Sequence, residues 1–327
     1  MKLTSSVYDT IIAGSGAAGL SAAIYAGRYL MKTLLVRGNF GGETATAGQI
    51  WNYPGAPGVD GYDLMKNFEK QAKDSGAEII NGKVTGASGN NGCFTVNVGN
   101  LEYQASTVIF AQGAERRHLG IAREEELTAK GVHYCVTCDG PLYTGKTVAI
   151  VGGGDASIKG ILDLAKYVEK IYFIVRAPKL TRPEPVNLEA LDKLGDKVVR
   201  IFETQITELV GESKLEKIIL SKEFEGSREL KIDGLFVEIG AKPDVAVPTS
   251  LGVALDKLGY IAVNNLMETN VPGIYAAGDT VNHFGPFKQT ITAAALGAVA
   301  ATSAYNYYKK HGNLCHSHSL PSKDPQN

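Results

Sequence analysis

Residues 8–38 read YDTIIAGSGAAGLSAAIYAGRYLMKTLLVRG, and this stretch decides the fold. The run Thr10 to Ala13 is apolar without alternation, the pattern of a parallel strand buried on both faces. Gly14-Ser15-Gly16-Ala17-Ala18-Gly19 follows at once. Glycines at this spacing permit a tight turn, a close backbone approach to a pyrophosphate, and close packing of the next helix on the strand. The N-terminus of that helix points unpaired N–H groups at the same anion. Residues 146–177, KTVAIVGGGDASIKGILDLAKYVEKIYFIVRA, repeat the pattern. Gly152 and Gly154 fall 138 residues after Gly14 and Gly16, Val148 to Val151 is the apolar strand, and Ser157 takes the third position. Two copies in the same strand, turn and helix context predict two βαβ units, each shaped for a dinucleotide.

The composition agrees with a two-domain enzyme. At 327 residues the chain exceeds one small core, and 44% of it is hydrophobic. Lys plus Arg number 33 against 34 Asp plus Glu, so no global basic field recruits nucleic acid or anionic lipid. The opening MKLTSSVYDTIIAGSG lacks the charged and long apolar regions of a signal peptide, and no apolar run is long enough to span a bilayer. These features point to the cytoplasm and away from membrane or nucleic-acid partners.

Between and beyond the two units the signals are shorter. Gly41-Gly42-Glu43 and Asn52-Tyr53-Pro54-Gly55 read as loops. A helix is expected from Gly61 to about Ser75, with strands at Glu78 to Thr85, Cys93 to Val98, Leu101 to Gln104 and Thr107 to Ala111. Strand patterns recur at Val198 to Thr207, Leu215 to Ser221 and Gly234 to Ile239. The last segment holds Gly273-Ile-Tyr-Ala-Ala-Gly278-Asp279 and a small-residue helix from Gln289 to about Lys310, stopped by Gly312. Connectors near Glu115 to Leu119 and Pro243 to Pro248 bracket the second unit. The expected fold class is therefore α/β, with two Rossmann-like three-layer dinucleotide-binding domains, the second inserted into the first. The boundaries fall at 1–116 with 249–327, and 117–248.

Cys135-Val136-Thr137-Cys138-Asp139 lies in the inserted part. Two thiols separated by two residues close a disulfide with little chain movement, and the second attacks the mixed disulfide that the first forms. The competing reading is half of a zinc site. Zinc takes four ligands, and the other cysteines, Cys93 and Cys315, stand alone in the sequence, so a redox dithiol is expected. Cys93 reads as an inert buried thiol, and Cys315-His316-Ser317-His318 as part of a disordered polar tail.

Taken together these residues resemble the low-molecular-weight thioredoxin reductase family, over roughly Asp9 to Lys310. The resemblance rests on Gly14 to Gly19, Gly41-Gly42, Asn52 to Gly55, Cys135 to Gly140, Gly152 to Gly154, Gly278-Asp279 and Lys288-Gln289-Thr290. The larger glutathione-reductase-like enzymes carry a CxxxxC pair soon after the first unit, whereas here residues 38–92 contain no cysteine.

What the resemblance implies is a homodimeric flavoprotein passing electrons from NADPH through FAD to Cys135-Cys138, and on to a thioredoxin-like protein with a disulfide. Cys138 would exchange with the flavin, Cys135 would attack the protein substrate, and Asp139 would be the acid or base. FAD would lie along Gly14, Ser15, Gly16, Ala17, Ala18, Gly19, Arg37, Gly41, Gly42, Glu43, Asn52, Val84, Ala111, Gln112, Gly113, Gly278, Asp279, Lys288, Gln289 and Thr290. The helix from Gln289 points its positive end at the ring, where reduced flavin gathers negative charge. In this family the inserted domain swivels on its two connectors, because the dithiol must meet both the flavin and an external disulfide.

Three positions depart from the family pattern. Arg37 stands where an acid often binds the adenosine ribose, and Ala111-Gln112-Gly113 replaces Ala-Thr-Gly. The third departure bears on the donor. NADP would lie on Gly152, Gly154, Asp155, Ala156 and Ser157, with Arg176 and Arg182 facing its 2′-phosphate. Only those two arginines remain of the family's basic run, yet no acid offers the NADH alternative. NADPH is the expected donor, with NADH, ferredoxin or a deazaflavin as the alternatives, and the competing function is a non-catalytic flavin- or zinc-binding interaction protein.

Overall fold

The apolar run after Tyr8 lies inside a longer strand, Lys2–Ala13, and the glycine turn leads directly into the helix Ala17–Arg28. The computed structural model describes residues 2–285 and 287–315. The chain forms two units, residues 1–114 with 243–327, and residues 115–242.

In the larger unit, strands Glu78–Asn81, Thr33–Arg37, Lys2–Ala13, Leu101–Phe110 and Ile274–Ala276 pair in parallel in that spatial order. Ile11, Ile12, Leu34, Leu35, Val108, Ile109 and Phe110 are buried, which explains why these strands show no alternation. The first half of Leu101–Phe110 also pairs antiparallel with Cys93–Val98, which pairs with Val84–Asn90. The helix Thr290–His311 packs on Ala17–Arg28 so closely that a Cβ at Gly297 would overlap the Ala18 carbonyl oxygen.

The smaller unit is a second parallel sheet, ordered Val132–His133, Gly234–Glu238, Thr147–Gly152, Lys170–Ile174, Val198–Ile201. Beside it, Ile206–Val210, Lys217–Phe224 and Ser227–Lys231 form an antiparallel sheet. The protein is thus an α/β chain with two Rossmann-like folds, one interrupting the other in sequence.

Several elements differ from the sequence reading. Leu101–Phe110 is one strand, because Ala105 and Ser106 are both fully buried and their lack of alternation mimicked a break. The expected strand Val198 to Thr207 is two strands. Glu203 has φ 51°, and Thr204 N–H donates to the Val175 carbonyl at 3.1 Å, so the chain leaves one sheet there for the other. Ser227–Lys231 escaped detection because Leu230 is its single buried residue.

The cysteines outside the CxxC give the main correction. Cys93 and Cys315 form a disulfide across a sequence separation of 222 residues, so Cys93 is no free thiol and Cys315 is not part of a loose tail. After Gly312 (φ 69°) the chain turns back onto the sheet. Asn313 Nδ2 donates to Asp9 Oδ1 at 3.4 Å, and Cys315 is buried against the Ala105 carbonyl. Linear distance concealed this adjacency. His316, Ser317 and His318 lie outside the described residues.

A crosslink that closes so long a loop constrains the unfolded chain strongly, and its loss costs about 2–5 kcal/mol. We expect Cys93→Ser to lower the urea midpoint and, because the unfolded chain is released to expose more surface, to steepen the slope, and non-reducing peptide mapping of the wild type to recover a Cys93–Cys315 linkage. Recovery of both as free thiols would contradict the pairing.

Candidate active site

The dithiol sits where a parallel strand ends. Val132 and His133 pair with Leu235 and Phe236, and the chain then turns through Cys135 into a single helical turn, Val136–Asp139. Cys135 is the N-cap: its Sγ accepts the Cys138 N–H at 3.2 Å, and its carbonyl accepts the Asp139 N–H at 3.1 Å. An N–H aimed at a sulfur favours the thiolate once the bond is reduced. Buried Val136 anchors the turn, packing with Ile158 and Ile161 of the helix Asp155–Leu164. Cys135 and Cys138 are joined as a disulfide, with Cys138 exposed and Cys135 half-buried.

Asp139 does not stand alone. Its Oδ2 lies 3.0 Å from Nδ1 of His133, whose side chain is only 5% exposed. The other ring nitrogen, Nε2, lies 2.7 Å from the Tyr143 hydroxyl. The imidazole stacks on Phe236 at 5.4 Å. Burial, then the nearby Asp139 and Asp233 carboxylates, push the Tyr143 phenol up to about 12. Sequence reasoning missed His133 and Tyr143. Their one signal was proximity to the dithiol, since burial was invisible.

The second glycine turn lies in the same unit. A Cβ at Gly152 would overlap both the Ser157 hydroxyl and the Glu238 carbonyl, and Ser157 Oγ donates to that carbonyl at 3.1 Å. Gly154 caps the helix, and a Cβ there meets nothing within 4 Å, which leaves open ground above the turn. Asp155 Oδ1 accepts the Glu184 N–H at 2.9 Å and Asn187 Nδ2 at 2.7 Å, so it ties down the segment after Arg182. Ala156, Arg176 and Arg182 are exposed.

In the larger unit, the first turn has the same construction. Gly14 (φ 109°) and Gly19 tolerate no side chain, because a Cβ would overlap the Ala111 and Gly14 carbonyls respectively. Above Gly16 the nearest atoms, in Gly41 and Gly42, are 4.0 Å from a Cβ. Ser15 Oγ donates to the Asn39 carbonyl at 3.0 Å. The first-turn N–H groups at Ala17, Ala18 and Gly19 thus face a shallow space walled by glycine backbone, which fits a pyrophosphate. The Gln112 side-chain oxygen beside Gly113 is buried without a protein partner, a further place for a ligand donor.

Distant segments converge at the start of the long helix. Asn52 Nδ2 donates to Gln289 Oε1 at 3.0 Å, Thr44 and Thr290 share a hydrogen bond of 3.1 Å, and Gln289 and Thr292 form a capping box. Gly278 (φ 79°), the residue before Asp279, packs so closely on Ala18 that a Cβ there would lie 2.8 Å from the Ala18 Cβ. Burial pushes the Asp279 carboxyl up, Lys288 opposes the rise and Glu43 adds to it. Burial pulls the Lys288 ammonium down, and its Nζ donates to the Val281 carbonyl while lying 4.4 Å over the Tyr260 ring. Val84 is buried at the start of its strand. The structure therefore brings Glu43, Asn52, Asp279, Lys288, Gln289 and Thr290 together. Arg37 is engaged elsewhere: it pairs with Glu69 at 2.8 Å and with Asn81 at 2.7 Å.

These features define a class first. The family described as pyridine nucleotide-disulphide oxidoreductase matches residues 8–300, and the chain belongs to it. Within that class it is a member of the thioredoxin reductase family of flavoprotein disulfide reductases. It is 34% identical over 307 residues to a thioredoxin reductase of Listeria innocua, covering 93% of this chain and 95% of that one. The crystal structure of Lactococcus lactis thioredoxin reductase (FR conformation) superposes with a TM-score of 0.87 at 32% identity, covering 93% of this chain and 99% of that chain. For T. acidophilum thioredoxin reductase the TM-score is 0.85 at 34% identity, with 92% and 98% covered. Among the described residues no helix is long and apolar enough to cross a membrane.

Glu69 gives a pH test of the Arg37 contact. Burial alone would raise its carboxyl, but hydrogen bonds from Lys73 and Arg37 outweigh this and hold it below the ordinary glutamate value. A lowered folded-state value stabilises the protein above the unfolded-state value, and that stability is lost as pH falls through the folded one. Glu69→Gln should cost about 1–2 kcal/mol at neutral pH. The gap to wild type should close on acidification, as followed by urea unfolding at several pH values.

Proposed function

We propose that the protein reduces the disulfide of a thioredoxin-like partner with electrons taken from NADPH. FAD, held by the Gly14–Gly19 turn, Gly41–Glu43, Asn52, Asp279 and the Lys288–Thr290 helix start, would accept a hydride from NADPH and hand two electrons to Cys135-Cys138. Gly152, Gly154, Asp155, Ala156 and Ser157 would seat the NADP pyrophosphate, with Arg176 and Arg182 at its 2′-phosphate. The observation that carries the reading is the bonded Cys135-Cys138 pair on a helical turn packed against the helix of the second glycine turn.

The chain's own residues account for the thiol chemistry. Cys135 passes its proton to Asp139 and, as thiolate, attacks the partner disulfide; the partner's S–S bond breaks, a mixed disulfide forms, and the departing sulfur takes that proton. Cys138 then loses its proton to Asp139 and attacks Cys135 Sγ. The mixed disulfide breaks, Cys135-Cys138 closes, and the second partner sulfur leaves with the proton. Two electrons and two protons have moved from dithiol to partner. The N–H of Cys138, aimed at Cys135 Sγ, supports the thiolate that begins the sequence. The likeness to thioredoxin reductases supports a homodimer acting in the cytoplasm.

The purified protein should be yellow, and NADPH should bleach it without oxygen. Cys138→Ser should leave that bleaching intact while thioredoxin reduction falls to background. Asp139→Asn should slow thioredoxin reduction on the order of 100-fold. A flavin that stays oxidised with NADPH but is reduced by NADH, ferredoxin or a deazaflavin would overturn the donor. A Cys138→Ser variant with wild-type turnover would overturn the relay.

A further inference from the structure

We infer that His133 is a positioning residue for the thiol–disulfide exchange, acting through Asp139, with Tyr143 holding its second ring nitrogen. The inference rests on the proposed role of Asp139 as the proton carrier. Three buried or half-buried groups stand in line: Tyr143 Oη, then His133 Nε2 at 2.7 Å, and His133 Nδ1, then Asp139 Oδ2 at 3.0 Å. A neutral imidazole has one N–H donor and one bare acceptor nitrogen. Burial first, then Asp139 and Asp233, hold the Tyr143 phenol in its protonated form across the working pH range. A protonated phenol can donate or accept, so the direction follows from the other end of the line: a carboxylate only accepts, the ring proton of a neutral imidazole then lies on Nδ1, and Nε2 accepts the Tyr143 O–H. Of the two neutral tautomers, only this one gives the Asp139 carboxylate a donor.

The consequence for Asp139 is geometric. Its carboxylate lies at the end of a four-residue helical turn, where an aspartate would otherwise be free to swing into solvent. A hydrogen bond from a ring that is itself clamped between Phe236 and Tyr143 fixes Oδ2 and leaves Oδ1 to trade protons with sulfur. The other charged groups near this line are Asp233, which accepts the Thr147 N–H at 3.0 Å, and Lys146, whose Nζ lies 5.4 Å from the Tyr143 ring centroid. Both lie beside Tyr143. The contact through which His133 bears on the exchange is the one it makes with the Asp139 carboxylate.

The test compares His133→Phe, His133→Asn, Tyr143→Phe and Asp139→Asn with the wild type. Phenylalanine fills the ring space without a donor. Asparagine returns an N–H close to the Nδ1 position. For each flavin-loaded variant, anaerobic flavin reduction by NADPH and the single-turnover rate of thioredoxin reduction are followed across pH. His133→Phe should slow thioredoxin reduction at least about tenfold. Its reduction by NADPH should stay within about twofold of wild type. His133→Asn should recover most of the rate, and Tyr143→Phe should fall between. Wild-type rate and pH profile in His133→Phe, beside a slow Asp139→Asn, would overturn this inference and leave the proposed function standing. Equal slowing in Phe and Asn variants would also overturn it, since packing alone would then account for the loss. An Asp139→Asn variant at full rate would remove both this inference and the role given to Asp139.

Discussion

The missing Cβ at a few glycines is the constraint on which the rest of the structure depends. At Gly14, Gly19 and Gly152 a methyl group would occupy the position of a backbone carbonyl oxygen, so the strand can turn into its helix there only without a side chain. Each turn brings a helix N-terminus to the edge of a parallel sheet with its N–H groups facing outward. The same economy of side chains recurs at Gly278 and Gly297, where the long C-terminal helix closes on Ala18. Close approach of backbone to backbone thus shapes both candidate nucleotide seats.

The dithiol uses the second of these seats as its foundation. Val136 ties the one-turn helix to the helix that follows Gly154, so the sulfur chemistry and the second glycine turn share one rigid body. The Cys138 N–H faces Cys135 Sγ, and Asp139 is restrained by a buried imidazole rather than left to solvent. The Cys93–Cys315 bond serves a different purpose, fixing the chain beyond the last helix against the antiparallel edge of the larger unit.

Much of this was legible in the sequence wherever the signal was local. The repeated strand, glycine turn and helix identified the α/β class, and CxxC spacing identified the bonded pair Cys135-Cys138. Contacts between distant segments were not legible. Asn52 meets Gln289 across a separation of 237 residues, a meeting only the family resemblance implied, and Cys93 meets Cys315 across 222 with nothing in either neighbourhood to announce the other. The cysteine pair was misread for that reason: one partner looked like a strand residue and the other like tail. His133 illustrates a third kind of omission. Its position two residues before Cys135 was plain, but its value depends on burial beside Phe236 and on a tyrosine that the chain supplies only after the next turn. Arg37 stood out as an anomaly in the sequence, and the structure gives it a partner in Glu69.

The central claim is that Cys135 and Cys138 exchange with a partner disulfide, Cys135 being the thiol that attacks and Cys138 the one that resolves. Trapping the mixed disulfide tests it most directly. The reduced Cys138→Ser protein is mixed with an oxidised thioredoxin, and the adduct is mapped by non-reducing peptide mass spectrometry. The account predicts a single adduct linked through Cys135. An adduct linked through Cys93 or Cys315, or the absence of any adduct from a correctly folded variant, would contradict it.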